Sequence, residues 1–293
     1  MSNHPYVHIV ILTHNGCEYT IRAIDSLKTM TYPNYDLVVV DNRSTDTTVE
    51  KIREKYPFIT LLIQPSNKGF AAAANSGLQR AMEQKADYAL IINNDVLVMP
   101  SMLTHLIEAM TPDVGAAAPM IYFLDNPKQI WSIGFARHPF LLEAYGGARG
   151  QIDEGQWLVP VDVDYLLGCA LLLRVSVLEE VGLFDDRFFF YYEDLDLCLR
   201  IQKKGYRLIT VPKAKMWHKV AGSANLGSPF RVYHMARSSI IFFQTHAKGI
   251  QRPAILMYRL GSIVKNSSMF LARRRYDLFQ HYWKGLWNGW QLL

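Results

Sequence analysis

DLVVVDNRSTD, residues 36–46, passes from an apolar, β-branched run into a cluster of acids, amides and hydroxyls. An unbroken apolar run of this length reads as a strand buried on both faces, and the polar cluster as the turn at its carboxyl end. The same transition recurs on both sides. Upstream, YVHIVIL (6–12) runs into THN (13–15); downstream, FITLLI (58–63) leads to PSNKG (65–69), and ADYALIIN (86–93) ends in NND (93–95). Helical patterns intervene from about Glu18 to Lys28, from about Thr45 and from Gly69. The order βαβαβαβ predicts an α/β fold, a parallel sheet covered by helices. Pro5, Pro33, Pro57 and Pro100 fall at the boundaries of these elements, where a missing N–H is tolerated.

Open parallel sheets bind ligands at the carboxyl ends of their strands. Each polar strand end taken singly is an ordinary cap or turn, but four in succession point to one shared ligand. Neither G-x-G-x-x-G nor G-x-x-x-x-G-K-[ST] occurs, which disfavours a glycine-rich phosphate cradle. Phosphate charge would instead require Mg²⁺ or Mn²⁺ on oxygen ligands, with Asp95 as the anchor.

From about 115 to 173 the pattern is irregular, with GFARHPF and AYGGARG preceding VDVDYLLGCALLLR, and it predicts a mixed region shaping a substrate pocket. A helix from Ser176 to Val181, an aromatic loop, a helix from about Asp194 to Lys204 and a strand YRLITV (206–211) follow. Acids at a helix start, such as Glu193 and Asp194, are stabilised by the helix dipole with or without chemistry. Here they adjoin five consecutive aromatic residues, FFFYY (188–192), a setting able to hold a sugar face and limit water.

Five segments in order carry a family resemblance over about residues 7–223: VVVDNRSTDTT, NKGFAAAANSGL, INNDVLV, GLFDDRFFFYYEDLDLCLR and WHKVAGS. The chain resembles the inverting family 2 glycosyltransferases of glycosyltransferase-A fold, in particular their rhamnosyltransferase-like branch. The resemblance implies a nucleotide site lined by Thr13, Asn15, Asp41, Asn42, Lys68, Gly69, Asn75, Asn94 and Asp95, with Asn67 at its border. Asp95 and His218 would hold the Mg²⁺ or Mn²⁺. Asn93 stands where the family has the first aspartate of an Asp-x-Asp motif, a loss of one negative ligand. Asp194 matches the family's catalytic base; Glu193 or Trp217 would lie near the acceptor. One base opposite the leaving group and one cation behind it suffice for single displacement with inversion.

The formal charge of +5 is uneven. Residues 231–293 hold 10 of the 31 Lys+Arg and one of the 26 Asp+Glu, a net +9, which leaves residues 1–230 at −4. Arg273-Arg274-Arg275 precede Tyr276, Phe279, Tyr282, Trp283, Trp287 and Trp290, a combination suited to an anionic membrane surface. No nucleic-acid module appears. The odd, widely spaced Cys17, Cys169 and Cys198 support neither a disulfide framework nor a zinc site and fit a reducing compartment. MSNHP leads into the first strand without a signal-peptide core, and no apolar run reaches the ~20 residues of a spanning helix.

The expected organisation is a catalytic domain over residues 1–228, with a donor half to about 118 and an acceptor half from 119, and a basic, aromatic-rich helical extension over 229–293. The expected activity is sugar transfer from a nucleotide diphosphate sugar, dTDP-rhamnose first, to a glycan or lipid-linked hydroxyl in cell-surface polysaccharide synthesis, at the cytoplasmic face of the membrane. UDP-hexose or GDP-mannose donors, and a non-catalytic sugar-binding protein of the same fold, are the competing expectations. The oligomeric state is not encoded in any of these segments.

Overall fold

A computed structural model of the chain describes residues 4–220 and 227–293. The last three residues of WHKVAGS, Ala221 to Ser223, lie outside them. Strands β1 (Val7–Thr13), β2 (Tyr35–Asp41), β3 (Thr60–Ile63) and β4 (Tyr88–Asn93) pair in parallel in the order β3-β2-β1-β4. Their crossovers are α1 (Cys17–Leu27), α2 (Thr48–Lys55) and α3 (Phe70–Glu83). Every residue of β1 is buried, as its unbroken apolar run requires. The register sets Thr13 beside Asp41 and Leu12 beside Asn93, so the polar strand ends share one edge.

The Ala/Gly-rich start of α3 is a packing device. Ala71, Ala74, Gly77 and Leu78 are buried against the sheet, and a Cβ on Gly77 would stand 2.1 Å from a methyl of Val10. Small residues here let the helix settle close to the sheet and bring its N-terminus to the strand-end edge.

Beyond β5 (Val96–Val98) and α4 (Met102–Glu108), the expected irregular region contains a long strand, β6 (Val114–Phe123), buried at all but its last position. It is followed by β7 (Asn126–Ser132), β8 (Ala136–Arg137), β9 (Ala144–Tyr145), β10 (Val161–Val163) and β11 (Ala170–Arg174). Then come α5 (Val175–Val181), α6 (Glu193–Lys203) and β12 (Arg207–His218). The sheet continues β10-β12-β6-β11-β4, with β11 antiparallel to both its neighbours, β5 on β12 and β7 on β6. Two prolines conceal the length of β6 and β12 in the sequence. Pro119 pairs with Val211 where the register of β12 breaks before Lys215, and Pro212 lies within the break. A bulge dispenses with the ladder bond that proline cannot donate.

The C-terminal helices are α7 (Pro229–His246), α8 (Gln251–Ala272) and α9 (Tyr276–Trp290). Ile241, Phe242 and Phe243 of α7 share a core with Phe188, Leu195 and Leu199 around α6. Gly285 and Gly289 let α9 approach α7, since a Cβ at either would stand within 2.6 Å of the carbonyl oxygens of Tyr233 and Arg237 respectively. Among the described residues no helix is long and apolar enough to cross a membrane.

Candidate active site

The end of β2 offers two buried acceptors. Asp41 is fully buried; one carboxylate oxygen accepts the Ser44 N–H at 3.0 Å, while Oδ1 has no partner. Asn42 donates its amide hydrogens to Asn67 Oδ1 and to the Gly69 carbonyl, both at 3.0 Å, leaving its own Oδ1 unpartnered. Buried polar atoms are normally satisfied, so adjacent orphaned acceptors mark a place for a ligand's N–H or O–H. Asn15, in a left-handed conformation (φ 50°), closes one side: its N–H donates to Ser44 Oγ and its Oδ1 accepts the Thr45 N–H at 2.7 Å.

Asp95 and His218 meet because β5 pairs antiparallel with β12, setting His218 opposite Val96. Asp95 Oδ1 and His218 Nε2 stand 3.0 Å apart, yet neither atom has an aligned hydrogen bond. The separation has a simple reading: cis ligands on one octahedral cation at ~2.1 Å are themselves about 3.0 Å apart. The residues present therefore fit a hard divalent cation, with an oxygen and an imidazole nitrogen converging on it. No cluster of three or more His, Cys, Asp or Glu exists among the described residues, so most of the coordination would have to come from a ligand's own oxygens and from water.

At the start of α6, Asp194 is half-buried and its carboxylate accepts three hydrogen bonds: Tyr165 O–H at 2.9 Å, Gly168 N–H at 3.0 Å and Leu195 N–H at 2.9 Å. Its neighbour Glu193 is buried, and its Oε2 is unpartnered. Burial, and then the charge of Asp194, push the Glu193 carboxyl well above the usual carboxylate range. Burial raises Asp194 too, against its three donors. Hydrogen bonds to the ionised form favour it, so the pair keeps its negative charge on Asp194 and its proton on Glu193. The start of β11 brings the two segments together: the Asn93 N–H donates to the Cys169 carbonyl at 3.0 Å, and the Gly168 N–H donates to Asp194 at 3.0 Å. The Cys169 thiol, raised by burial, is raised further by the charges of Asp95 and Asp194.

The aromatic loop is held from both sides. Gly69 (φ 90°) packs on Phe189 so closely that a Cβ would stand 2.1 Å from its carbonyl oxygen, and Phe70 N–H donates to that oxygen at 2.8 Å. Tyr191 and Tyr192 are both left-handed, φ 68° and 72°, a conformation that costs roughly 1–3 kcal/mol per residue. That strain turns the chain directly into α6 and fixes where Glu193 and Asp194 begin.

Several of the expected site residues make hydrogen bonds within the protein. Thr20 donates its hydroxyl hydrogen to the Gly16 carbonyl, so Thr13 donates to Thr20, and Asn94 Nδ2 donates to both threonines at 3.0 Å. Thr13 thus lies behind the edge, and Asn94 ties β1 to the start of β5. Asn75 exchanges hydrogen bonds with the backbone of Phe184 and donates to Asp186, fixing the loop before the aromatic run. Lys68 is exposed beside Gly69. Trp217 stacks on Tyr122 and donates to the Pro127 carbonyl, and strand alternation sets it on the other face from His218. The aromatic residue beside His218 is Trp131, ring centroids 4.8 Å apart. Trp131, Tyr165 and Gly168 escape a linear reading, for they sit in β7 and in an apolar stretch that carries no polar cluster.

The parallel half of the sheet gathers orphaned acceptors at its strand ends, with Asp95 and Asp194 held near Cys169, in an α/β fold. Residues 8–182 match glycosyl transferase family 2, and the chain belongs to that family. It is similar to an N-acetylglucosaminyl-diphospho-decaprenol L-rhamnosyltransferase of Mycobacterium tuberculosis, 27% identical over 289 residues, covering 90% of this chain and 92% of that protein. It is also similar to a dTDP-rhamnosyl transferase of Shigella flexneri, 24% identical, covering 81% and 80%. Its fold resembles that of a mannosyltransferase from Pyrobaculum calidifontis in complex with GDP-Man and Mn²⁺, at TM-score 0.62 and 18% identity, covering 99% and 88%.

Proposed function

We propose that the protein transfers a deoxyhexose, rhamnose from dTDP-rhamnose, to a hydroxyl of a lipid-linked glycan acceptor with inversion at the anomeric carbon. The observation that carries this reading is the convergence of Asp194 and the unsatisfied Asp95–His218 pair on the start of β11, at Gly168 and Cys169. Rhamnose is favoured over UDP- or GDP-linked hexoses by the two rhamnosyltransferase relatives. Asp41 Oδ1 and Asn42 Oδ1 would accept hydrogen bonds from the nucleoside, and Asp95 with His218 would hold Mg²⁺ or Mn²⁺. When bound, that cation neutralises charge on the departing diphosphate. Asp194 takes the proton of the attacking hydroxyl, and its burial raises its proton affinity towards neutral pH, where a base is most effective. Glu193, protonated, adds no competing charge and can donate to an acceptor oxygen.

The helical extension would bring the enzyme to its acceptor on the cytoplasmic face of the membrane. Met257, Leu260 and Val264 on α8 and Trp283, Trp287 and Trp290 on α9 are exposed, and Arg273 and Arg274 lie between the two helices. Exposed apolar residues with adjoining cations suit an interfacial helix pair on anionic lipid.

Asp194→Asn tests the reaction. With a dTDP-rhamnose donor, turnover falls by about 10²–10⁴ while donor affinity holds, because the amide keeps shape and loses basicity. Wild-type turnover in Asp194→Asn with a dead Glu193→Gln moves the base to Glu193. For the donor, thermal shifts with dTDP, UDP and GDP, with and without Mn²⁺, should be largest for dTDP with Mn²⁺; a larger shift with GDP overturns the rhamnose assignment.

A further inference from the structure

A second charged cavity lies at the far end of α6, of about 410 Å³, between β8, the C-terminal turn of α6 and the α7–α8 junction. Its polar lining includes Arg137, Lys203, Lys248, Asp164, His246 and Gln251. Three cations thus face one carboxylate, and that carboxylate is already used. Asp164 accepts the Arg137 backbone N–H at 2.9 Å and the Gln202 amide at 2.9 Å. His246 does not offset the charge either: its Nε2–H donates to Asp196 Oδ1 at 2.6 Å, so its Nδ1 accepts from Lys203 Nζ at 2.9 Å. Arg137 donates through Nη2 to Gln202, while its buried Nη1 has no partner.

Lys203 and Lys248 are exposed and Arg137 is half-buried, so water screens part of their mutual repulsion without cancelling it. Burial lowers the Lys203 ammonium's pKa, and Lys248 and Arg137 lower it further, against the opposing field of Asp196. Asp164 and Asp196 offset part of the positive charge, and a dianion with several acceptor oxygens would bring further counter-charge and a partner for the buried Arg137 Nη1.

We propose that this cavity is a binding site for a phosphate monoester or diphosphate group, separate from the donor site. Lys203 lies nine residues beyond Asp194 on α6, about 13 Å along the helix axis, so the group bound there is not the one that leaves the donor. The cavity adjoins the start of α8, where Ile250 is 78% exposed, so the anion arrives either as a lipid headgroup or free in solution.

The test uses the full-length chain carrying Asp95→Ala, kept in EDTA so that donor-site binding of diphosphate is removed. Calorimetric titration with inorganic diphosphate should show one site, weakened at least tenfold by Lys248→Glu and unaffected by the remote reversal Lys51→Glu. Lys248 is exposed, so its replacement leaves folding intact; Arg137→Gln should weaken binding in the same way. In a parallel arm, flotation compares vesicles containing phosphatidic acid with vesicles containing phosphatidylglycerol. Loss of solution binding in Lys248→Glu assigns a free anion; loss confined to phosphatidic acid vesicles assigns a headgroup phosphate. If neither arm responds to Lys248→Glu, or if both vesicle types respond equally while diphosphate fails to bind, the proposal is overturned.

Discussion

Two aspartate–histidine pairs of nearly the same separation differ in how far they are satisfied. Asp196 and His246 stand 2.6 Å apart, buried and aligned, with Arg200 on the other carboxylate oxygen and Lys203 on the other ring nitrogen. Asp95 and His218 stand 3.0 Å apart, with side chains 26% and 10% exposed, and neither facing atom makes an aligned hydrogen bond. The first pair is closed: every group has its partner, and it bolts α7 to α6. The second is open, and its unmet valence is what a cation would fill. Residue type and distance alone do not separate a structural pair from a candidate site; hydrogen-bond satisfaction does.

Replacing each aspartate should separate the pairs most sharply. If Asp95 holds the cation as proposed, Asp95→Ala should lose several kcal/mol of charge stabilisation, a fall in turnover of about 10³ or more, with little change in unfolding midpoint. Mn²⁺ should then no longer strengthen nucleotide binding. Full turnover of the wild-type enzyme in EDTA would break the assignment of the open pair. Asp196→Ala should do the reverse. Removing one partner of a buried pair typically costs about 3–5 kcal/mol, seen in denaturant unfolding, while the remaining folded protein keeps its activity.

The arginine run sharpens the same contrast at lower energy. Arg275 is closed by a bidentate pair with Asp277, whereas Arg273 and Arg274 have no acidic partner among the described residues. Vesicle binding should therefore weaken by about 1 kcal/mol, roughly fivefold, for each of Arg273→Ser and Arg274→Ser, and less for Arg275→Ser. Equal effects at all three positions would mean that pairing does not matter there, and no effect would remove the membrane role.

A third kind of histidine gives the smallest expected effect. His234 stacks on Phe189, ring centroids 4.7 Å apart, and burial, followed by the charge of Arg237, lowers its pKa to about 4. The unfolded chain binds this proton near pH 6.5 and the folded chain only near pH 4. The stability from neutral His234 is thus complete above pH 6.5, declines as pH falls through that window, and is spent below about 4. His234→Phe should flatten that part of the stability profile; an unchanged profile would show that other groups set it.

Much of the fold of the first hundred residues was legible in the chain because local pattern and tertiary role coincide there. Continuous apolar runs make doubly covered strands, polar clusters fall at their carboxyl ends, and the parallel connections set those ends side by side. Asp41, Asn42 and Asp95 stand at such strand ends, and Glu193-Asp194 at the helix start after the aromatic loop. Trp217 is set beside His218 by the sequence, while strand alternation turns it to the other face. The length of β6 and β12 was hidden by Pro119 and Pro212, which signal a break in sequence but occupy a bulge in the sheet.

The sequence by itself determined the alternating α/β order, the placement of polar residues at strand ends and the basic character of the last sixty residues, all set by neighbours along the chain. Only the tertiary structure decided which residues face each other and which are left unsatisfied. His218 reaches Asp95 through antiparallel pairing of two strands more than a hundred residues apart, Tyr165 and Gly168 clamp Asp194 across the sheet, and Arg137 joins Lys203 and Lys248 around one cavity. Strand register and side-chain satisfaction depend on long-range contacts, and those contacts distinguish the open Asp95–His218 pair from the closed Asp196–His246 pair.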